Sequence, residues 1–411
     1  MIQLLLIVLF VHLVSAVAKS VWAFLLIAHD SKALKIKKDY TYSPKVSVLL
    51  PCFNEGKVVY DTMESICKSD YADFEVIAID DCSKDDSVAW MRKAAAEFPN
   101  IRVLVNETNR GKNKSQMRGF RESTGDVIIC IDSDCIFAPD TMRELVACLA
   151  DPTMGAVGGR VAIKNVNESI VTRFQAFMYF IGFQLYKIPE NWSRTIVCIS
   201  GCLFATRRSI IAELEPILEN RHWFGIPVAE GEDRFMTHMV LLKGLGTYIN
   251  LDAKCWTDVP NAVTKYFKQQ LRWRRSAFRD IFMTIRLLPL HVKKLHWNVT
   301  YSIMMPAFSL LYGAIGVFFA PKFDPLFWAS PLPWAVYIFS CLLFCIIIKR
   351  ISPDQAVTNP LLMIGFGAWW LVSHFFITVL ALLTMDAPDW GTRTKVNTKI
   401  LEESWQTGEI A

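Results

Sequence analysis

Two aspartates flank a single serine in Asp132-Ser133-Asp134, directly after the apolar run at 127–131. Carboxylates at i and i+2 where a strand ends can share a divalent cation, and Mg²⁺ is commonly held by one or two carboxylates plus substrate phosphates. A solvated turn or a helix cap uses the same triplet. The metal reading gains weight from a second acid pair, Asp80-Asp81, which ends a neighbouring apolar run. In the second half of the chain, Glu232-Asp233-Arg234 follows Gly231. Acids in that position complement a helix start, and a carboxylate held there suits a general base that takes a proton from an attacking hydroxyl. Gln269-Gln270-Leu271-Arg272-Trp273 comes next. Arginine pairs bidentately with phosphate oxygens, and an indole face stacks on a sugar ring. An interfacial amphipathic helix uses Arg and Trp in the same places.

The elements that must position these residues read as alternating strand and helix. Short β-branched runs at 46–50, 74–79, 101–105 and 127–131 predict strands, with helical stretches reaching about 68, starting near 85 and following 114. Continuous apolar strands alternating with helices imply a parallel sheet covered on both faces, hence an α/β fold. Asn54 and Glu55, Asp80 and Asp81, and Asp132 and Asp134 all fall at carboxyl ends of these strands. That edge is where open α/β sheets bind ligands. No GxGxxG follows the first strand and no Walker A lysine motif occurs, which argues against a dinucleotide oxidoreductase and a P-loop ATPase.

At 411 residues and 53% hydrophobic, the chain exceeds one ordinary soluble core. Residues 1–27 are nearly unbroken apolar sequence, long enough to span a bilayer, and they lack the positive start of a cleaved signal. The basic run at 32–38 then predicts that the following segment is cytosolic. Eleven cysteines form no CxxC pair and no cluster of zinc-ligand spacing, so reduced thiols are expected. The net charge of +5 is spread over several segments and carries no nucleic-acid-binding signature.

The order of residues 51–55, Asp80-Asp81, Asp132-Ser133-Asp134, Ser200-Gly201-Cys202, 231–234 and 269–273 resembles the processive family 2 glycosyltransferases of the hyaluronan, chitin and cellulose synthase group. The resemblance covers about 45–285 and the carboxyl-terminal membrane region. Trp390-Gly391-Thr392-Arg393 resembles the gating-loop motif of hyaluronan synthases. Gly225-Ile226-Pro227-Val228 and Thr257-Asp258-Val259-Pro260 look most like the bacterial members. The resemblance implies a GT-A-type nucleotide-sugar-binding domain with a mostly parallel sheet, flanked by transmembrane and interfacial helices. It implies that Asn54, Glu55, Asp80 and Asp81 bind the donor, with Asp81 at the uridine and Lys112 near the phosphates. Asp134, with Asp132, would hold Mg²⁺ or Mn²⁺ on the diphosphate. Asp233, between Glu232 and Arg234, would be the catalytic base of an inverting transfer, and Arg272 would stabilise the leaving diphosphate. Ser200, Gly201, Cys202, Gln269 and Trp273 would form the acceptor side, and Trp390 and Arg393 would close over bound UDP-sugar. Two features depart from the hyaluronan pattern. Cys202 stands where those enzymes usually carry proline, and the single amino-terminal span is closer to the chitin-oligosaccharide synthases of rhizobia.

The expected organisation is a transmembrane helix at 1–28, a basic cytosolic linker at 29–44 and a cytosolic catalytic domain at 45–275. An interfacial amphipathic helix at 276–296 follows. The membrane region at 297–385 holds spans at 297–320 and 334–348 and a re-entrant or interfacial segment from 360, before a cytosolic gating loop and tail at 386–411. A third full crossing would carry Trp390 and Arg393 away from UDP-sugar. The chain is thus expected to be a multi-pass plasma-membrane synthase with UDP-GlcNAc and UDP-glucuronate as donors. Its nascent polysaccharide would leave through the membrane, in contact with lipid. The alternatives are a chitin or chitin-oligosaccharide synthase using UDP-GlcNAc alone, a non-processive transferase acting on a lipid acceptor, and a non-enzymatic membrane receptor or channel on a degenerate transferase fold.

Overall fold

A computed structural model describes residues 36–223, 226–228, 231–291 and 359–385, with the single positions Leu25, Leu342 and Ile346. The amino-terminal half is built on β1 (Val46–Cys52), every residue of which is buried. It leads through α1 (Val58–Cys67) to β2 (Phe74–Asp80), through α2 (Ser87–Glu97) to β3 (Ile101–Val105), and through α3 (Lys112–Glu122) to β4 (Val127–Cys130). Then follow β5 (Cys135–Phe137), α4 (Thr141–Leu149), β6 (Met154–Ile163) and α5 (Ile170–Phe180). A π turn, Ile181–Leu185, joins α5 to α6 (Lys187–Ser193). After β7 (Phe204–Arg207) and α7 (Arg208–Glu219), a short hairpin of β8 (His222–Trp223) and β9 (Ile226–Pro227) precedes α8 (Glu232–Leu242). The described chain then runs through β10 (Gly246–Thr257) and α9 (Val263–His291), and α10 is Pro360–Leu383.

The main sheet has eight strands in the order β3-β2-β1-β4-β7-β6-β10-β5. Its β3-β2-β1-β4 half is parallel throughout, as the strand–helix alternation predicts. The other half is mixed, because β7 runs antiparallel to both β4 and β6, and β5 runs antiparallel to β10. The sequence reading stops at four strands and misses β5, β6, β7 and β10. Strands β5 and β7 are three and four residues long, while glycines interrupt β6 and polar residues interrupt β10, so none presents a continuous β-branched run. Side chains alternate between two cores, as a period of 2 requires. Val46, Val48 and Leu50 face one core with Met63, Met91 and Leu145, whereas Leu49, Ile77 and Ile128 face the other with Met117, Leu214 and Val240.

The last part of the expected linker belongs to this domain. Ile36 is buried in the first core, and Lys38 reaches Glu144 and Asp252, each at 2.6 Å. A lysine-rich run reads as solvated in sequence; here the domain offers it two acids.

Helix α9 is a single helix of 29 residues, so residues 275 and 276 are continuous. Helix α10 starts at a cap in which Asn359 accepts from the Leu361 N–H at 2.9 Å, with Pro360 in the first turn. It packs against α5 through Phe177 and Phe366, with ring centroids 5.5 Å apart, and against α9 through Tyr266 and Trp369, at 5.7 Å. Among the described residues no helix is long and apolar enough to cross a membrane. The surroundings of several α10 positions, Gly367 and His374 among them, lie outside the described residues. So do the expected spans within 1–28, 297–320 and 334–348, apart from Leu25, Leu342 and Ile346, and the segment with Trp390 and Arg393. The cysteines among the described residues are free thiols.

Candidate active site

The parallel register aligns Cys52 with Asp80 and Leu49 with Cys130, so the loops leaving β1, β2 and β4 meet on one edge. Asn54 adopts a left-handed backbone, φ 56°, which asparagine tolerates better than most residues. Its N–H donates to Ser83 Oγ at 2.9 Å and its Oδ1 accepts from the Lys84 N–H at 2.7 Å. The Glu55 N–H donates to Ser87 Oγ at 2.9 Å. These two candidate donor-binding residues therefore stitch the first loop to the second.

Asp81 is heavily engaged. Its Oδ1 accepts from Asn106 Nδ2 and Ser115 Oγ, both at 3.0 Å, and from the Arg110 N–H at 2.8 Å. Its Oδ2 accepts from the Gly111 N–H at 2.8 Å. Asp81 thereby fixes the turn that delivers Lys112, a role the sequence did not disclose. Asp80 Oδ2 accepts from the Ser83 N–H at 3.0 Å, while its Oδ1 is buried with no hydrogen-bond partner among the described residues. A buried acceptor left open in this way can receive a donor from a ligand.

Lys112 is the hub of the site. Its buried Nζ lies 2.7 Å from Asp132 Oδ1 and 2.7 Å from Glu232 Oε1, joining the end of β4 to the start of α8. Burial opposes its charge, but Asp132, Glu232 and Asp233 hold the ammonium well above its ordinary range. In return, and against the cost of burial, Lys112 holds the Asp132 and Glu232 carboxyls below theirs. Asp233 behaves oppositely: burial, then the charge of Glu232, pushes its carboxyl up, with Lys112 opposing. Two adjacent acids are thus driven apart, Glu232 toward the permanent anion and Asp233 toward a proton acceptor of raised basicity. Asp233 Oδ2 accepts from the Gly201 N–H at 3.0 Å. A β-carbon on Gly201 would sit 2.9 Å from Lys112 Nζ and 3.6 Å from the Asp233 carboxylate, so Ser200-Gly201-Cys202 approaches the cluster closely because position 201 has no side chain.

Asp134 stands beside Asp132 with little to neutralise it. It accepts from Thr257 Oγ1 at 3.3 Å and from Cys135 Sγ at 3.5 Å. Burial and then the Asp132 charge push its carboxyl up to about 6. Asp132 is paired with Lys112, while Asp134 has no cation beside it among the described residues, and two partly exposed carboxylates separated by one residue suit a divalent cation. Among the described residues no three acidic, histidine or cysteine side chains converge on one point. The protein's share would be Asp132 and Asp134, which fits an Mg²⁺ or Mn²⁺ whose shell substrate phosphates and water complete.

On α9, Trp273 packs at the rim of the first core near Cys202, and its ring lies 6.3 Å from that of Tyr179 on α5. Arg272 contributes positive potential at Asp132, and the Cys202 side chain also helps hold that carboxyl below its ordinary range. Gln269 Oε1 is buried with no hydrogen-bond partner among the described residues. The motif 269–273 is therefore brought to the cluster from a distant part of the chain. Arg234 turns away from it, with Nε 3.2 Å from Asp280 Oδ2 on α9. Asp280 escaped the sequence reading, although it is the one acid between 263 and 291. Tyr179 and Thr237, which donates to the Asp233 carbonyl at 2.7 Å, gave no sequence signal.

The description Glycosyl transferase family 2 matches residues 47–215. An N-acetylglucosaminyltransferase of Rhizobium leguminosarum bv. viciae is 30% identical over 364 residues, 86% of this chain and 82% of that protein. One from Bradyrhizobium diazoefficiens is 36% identical over 249 residues, 60% of this chain but only 51% of the relative. Among solved structures, a mannosyltransferase from Pyrobaculum calidifontis in complex with GDP-Man and Mn²⁺ superposes with a TM-score of 0.52 at 21% identity, covering 87% of this chain and 97% of that one. That last likeness is one of fold, and it agrees with the GT-A-type α/β architecture.

Proposed function

The chain belongs to glycosyl transferase family 2, and from that premise we propose that it transfers N-acetylglucosamine from UDP-GlcNAc, with inversion, to the hydroxyl end of a growing β-linked saccharide. The observation that carries this reading is the division of labour around Lys112. One carboxylate of the Glu232-Asp233 pair is held ionised and the other is made more basic, 3.0 Å from the Gly201 N–H. The acceptor oxygen attacks the anomeric carbon, the bond from that carbon to the diphosphate oxygen breaks, and Asp233 takes the hydroxyl proton. Lys112 and Arg272 meet the negative charge that grows on the departing diphosphate. Asp132 and Asp134 would hold the Mg²⁺ or Mn²⁺ that offsets the remaining charge of that diphosphate. The open acceptor Asp80 Oδ1 suits an N–H of the nucleobase, and Trp273, backed by the buried Tyr179, offers an aromatic face to the acceptor sugar.

That the rhizobial relatives are N-acetylglucosaminyltransferases supports UDP-GlcNAc as donor. N-acetylglucosamine transfer is common to chitin-oligosaccharide and hyaluronan synthesis, and we adopt the first reading because it needs no second donor. Processive synthesis and export through the plasma membrane rest on the apolar segments of the sequence and on the resemblance around 269–273 and 390–393. Membranes bearing the full chain should be incubated with UDP-GlcNAc, with and without UDP-glucuronate, and the products digested with chitinase or hyaluronidase. A chitinase-sensitive oligomer from UDP-GlcNAc alone is the expected result. A product that forms only with both donors and yields to hyaluronidase would establish hyaluronan instead, and single-sugar lipid products would reject processivity.

A further inference from the structure

We infer that Asp280 and Arg279 are positioning residues for the base, acting through Arg234 and the first turn of α8. This rests on Asp233 being that base. Besides the Lys112–Glu232 pair and the Gly201–Asp233 hydrogen bond, three contacts fix the turn that carries Asp233. Gly231, with φ 71°, lies so close to α9 that a β-carbon there would meet Ser276 Oγ at 1.9 Å. Thr237 Oγ1 donates to the Asp233 carbonyl at 2.7 Å and accepts from the Ile199 N–H at 3.1 Å. Arg234, the residue after the base, places Nε 3.2 Å from Asp280 Oδ2, whose side chain is only 5% exposed. Of the three, the ion pair alone ties the turn to α9 by charge.

The same stretch of α9 also holds the end of α10. Arg279 Nε and Nη2 both donate to the Met385 carbonyl, at 3.0 and 2.8 Å, and Arg275 Nε donates to Thr384 Oγ1 at 3.0 Å. Phe278 fills the space between, in a cluster with Val197, Leu241 and Ala381. Residues 275–280 thus touch the start of α8 on one side and the end of α10 on the other. Arg234 and Asp280 are arranged to hold geometry rather than to contact substrate. A base displaced by about an ångström loses up to about a hundredfold in rate while donor binding is spared.

The test is Asp280→Asn, which keeps the shape and removes the ion-pair partner of Arg234. In full-length protein, kcat should fall at least about tenfold, with KM for UDP-GlcNAc and Kd for UDP within about threefold of wild type. Combining it with Arg234→Met, which removes the cation of that pair, should recover part of the lost kcat. A second variant, Arg279→Lys, keeps the charge but gives up the paired hydrogen bonds to Met385; it should lower kcat less, again at constant KM. If Asp280→Asn does not fold, Arg279→Lys decides alone. An unchanged kcat in the folded variants, or a loss of kcat matched by loss of UDP binding and unrelieved by Arg234→Met, overturns the inference. Asp233→Asn run alongside separates the two levels. If it still turns over, the base assignment fails; if it is dead while Asp280→Asn behaves as wild type, only the positioning role fails.

Discussion

Asp233 Oδ2 and the backbone N–H of Gly201 meet at 3.0 Å, and that contact joins the first turn of α8 to the loop before β7. The carboxylate of the base thus accepts its hydrogen bonds from main-chain N–H groups, those of Gly201 and Arg234. Its raised basicity comes from burial and from Glu232, while Lys112 keeps Glu232 charged.

Lys112 is expected to be indispensable for donor handling. Lys112→Ala would leave the buried Glu232 and the partly exposed Asp132 without the ammonium they share. Removing one partner from a buried ion pair costs about 3–5 kcal/mol. A thermal melt should show a large drop in Tm, and Lys112→Arg should recover part of it. A Tm unchanged by Lys112→Ala would contradict the network.

Gly231 has no room for a side chain. Gly231→Ala adds left-handed strain and an overlap with Ser276 Oγ, together about 2–4 kcal/mol. Adding Ser276→Gly should relieve the overlap and leave the backbone strain, so denaturant unfolding of the double variant should fall between wild type and the single variant.

The Asp134 carboxyl, pushed up to about 6, gives cation binding a pH dependence. Above that value the group is ionised and able to bind; as pH falls through it, a proton competes with the cation. Mn²⁺ affinity measured by calorimetry should be nearly flat above about pH 7 and fall about tenfold per unit well below 6. Asp134→Asn should weaken binding and flatten the profile.

Glu144 anchors the segment before β1. It accepts from Lys38 Nζ at 2.6 Å, Tyr40 OH at 3.0 Å and Asn250 Nδ2 at 3.2 Å. Burial opposes ionisation, but Lys38 and Asn250 hold the carboxyl below its ordinary range. A depressed folded-state pKa contributes stability above the unfolded value near 4.5 and loses it as pH falls further. Glu144→Gln should cost about 2 kcal/mol at pH 7 and show a shallower loss of stability than wild type between about pH 5 and 3.

Much of this was legible before the fold. The first four strands came from continuous β-branched runs, and the acids at their ends marked the ligand-binding edge. The lysine, the acid pairs and the cluster at 269–273 were each visible as motifs. Their convergence was not, because Lys112, Asp132 and Glu232 are joined through space by one ammonium. Asp81 looked like a ligand contact and is engaged by the turn before α3. Arg234, read beside Asp233 as part of the catalytic group, also pairs with Asp280, 46 residues on, a contact no local pattern announces. Strands β5, β6, β7 and β10 carry no continuous β-branched run, and of these β5 and β7, by running antiparallel, turn a parallel sheet into a mixed one.

The central claim is that Asp233 supplies the base while the rest of the site binds donor. The most direct measurement compares wild type and Asp233→Asn in full-length protein, titrating UDP binding and following transfer of labelled N-acetylglucosamine from UDP-GlcNAc in a single turnover. The account predicts UDP affinity within about threefold of wild type and transfer slowed at least about a thousandfold. Transfer at a rate near wild type would contradict it.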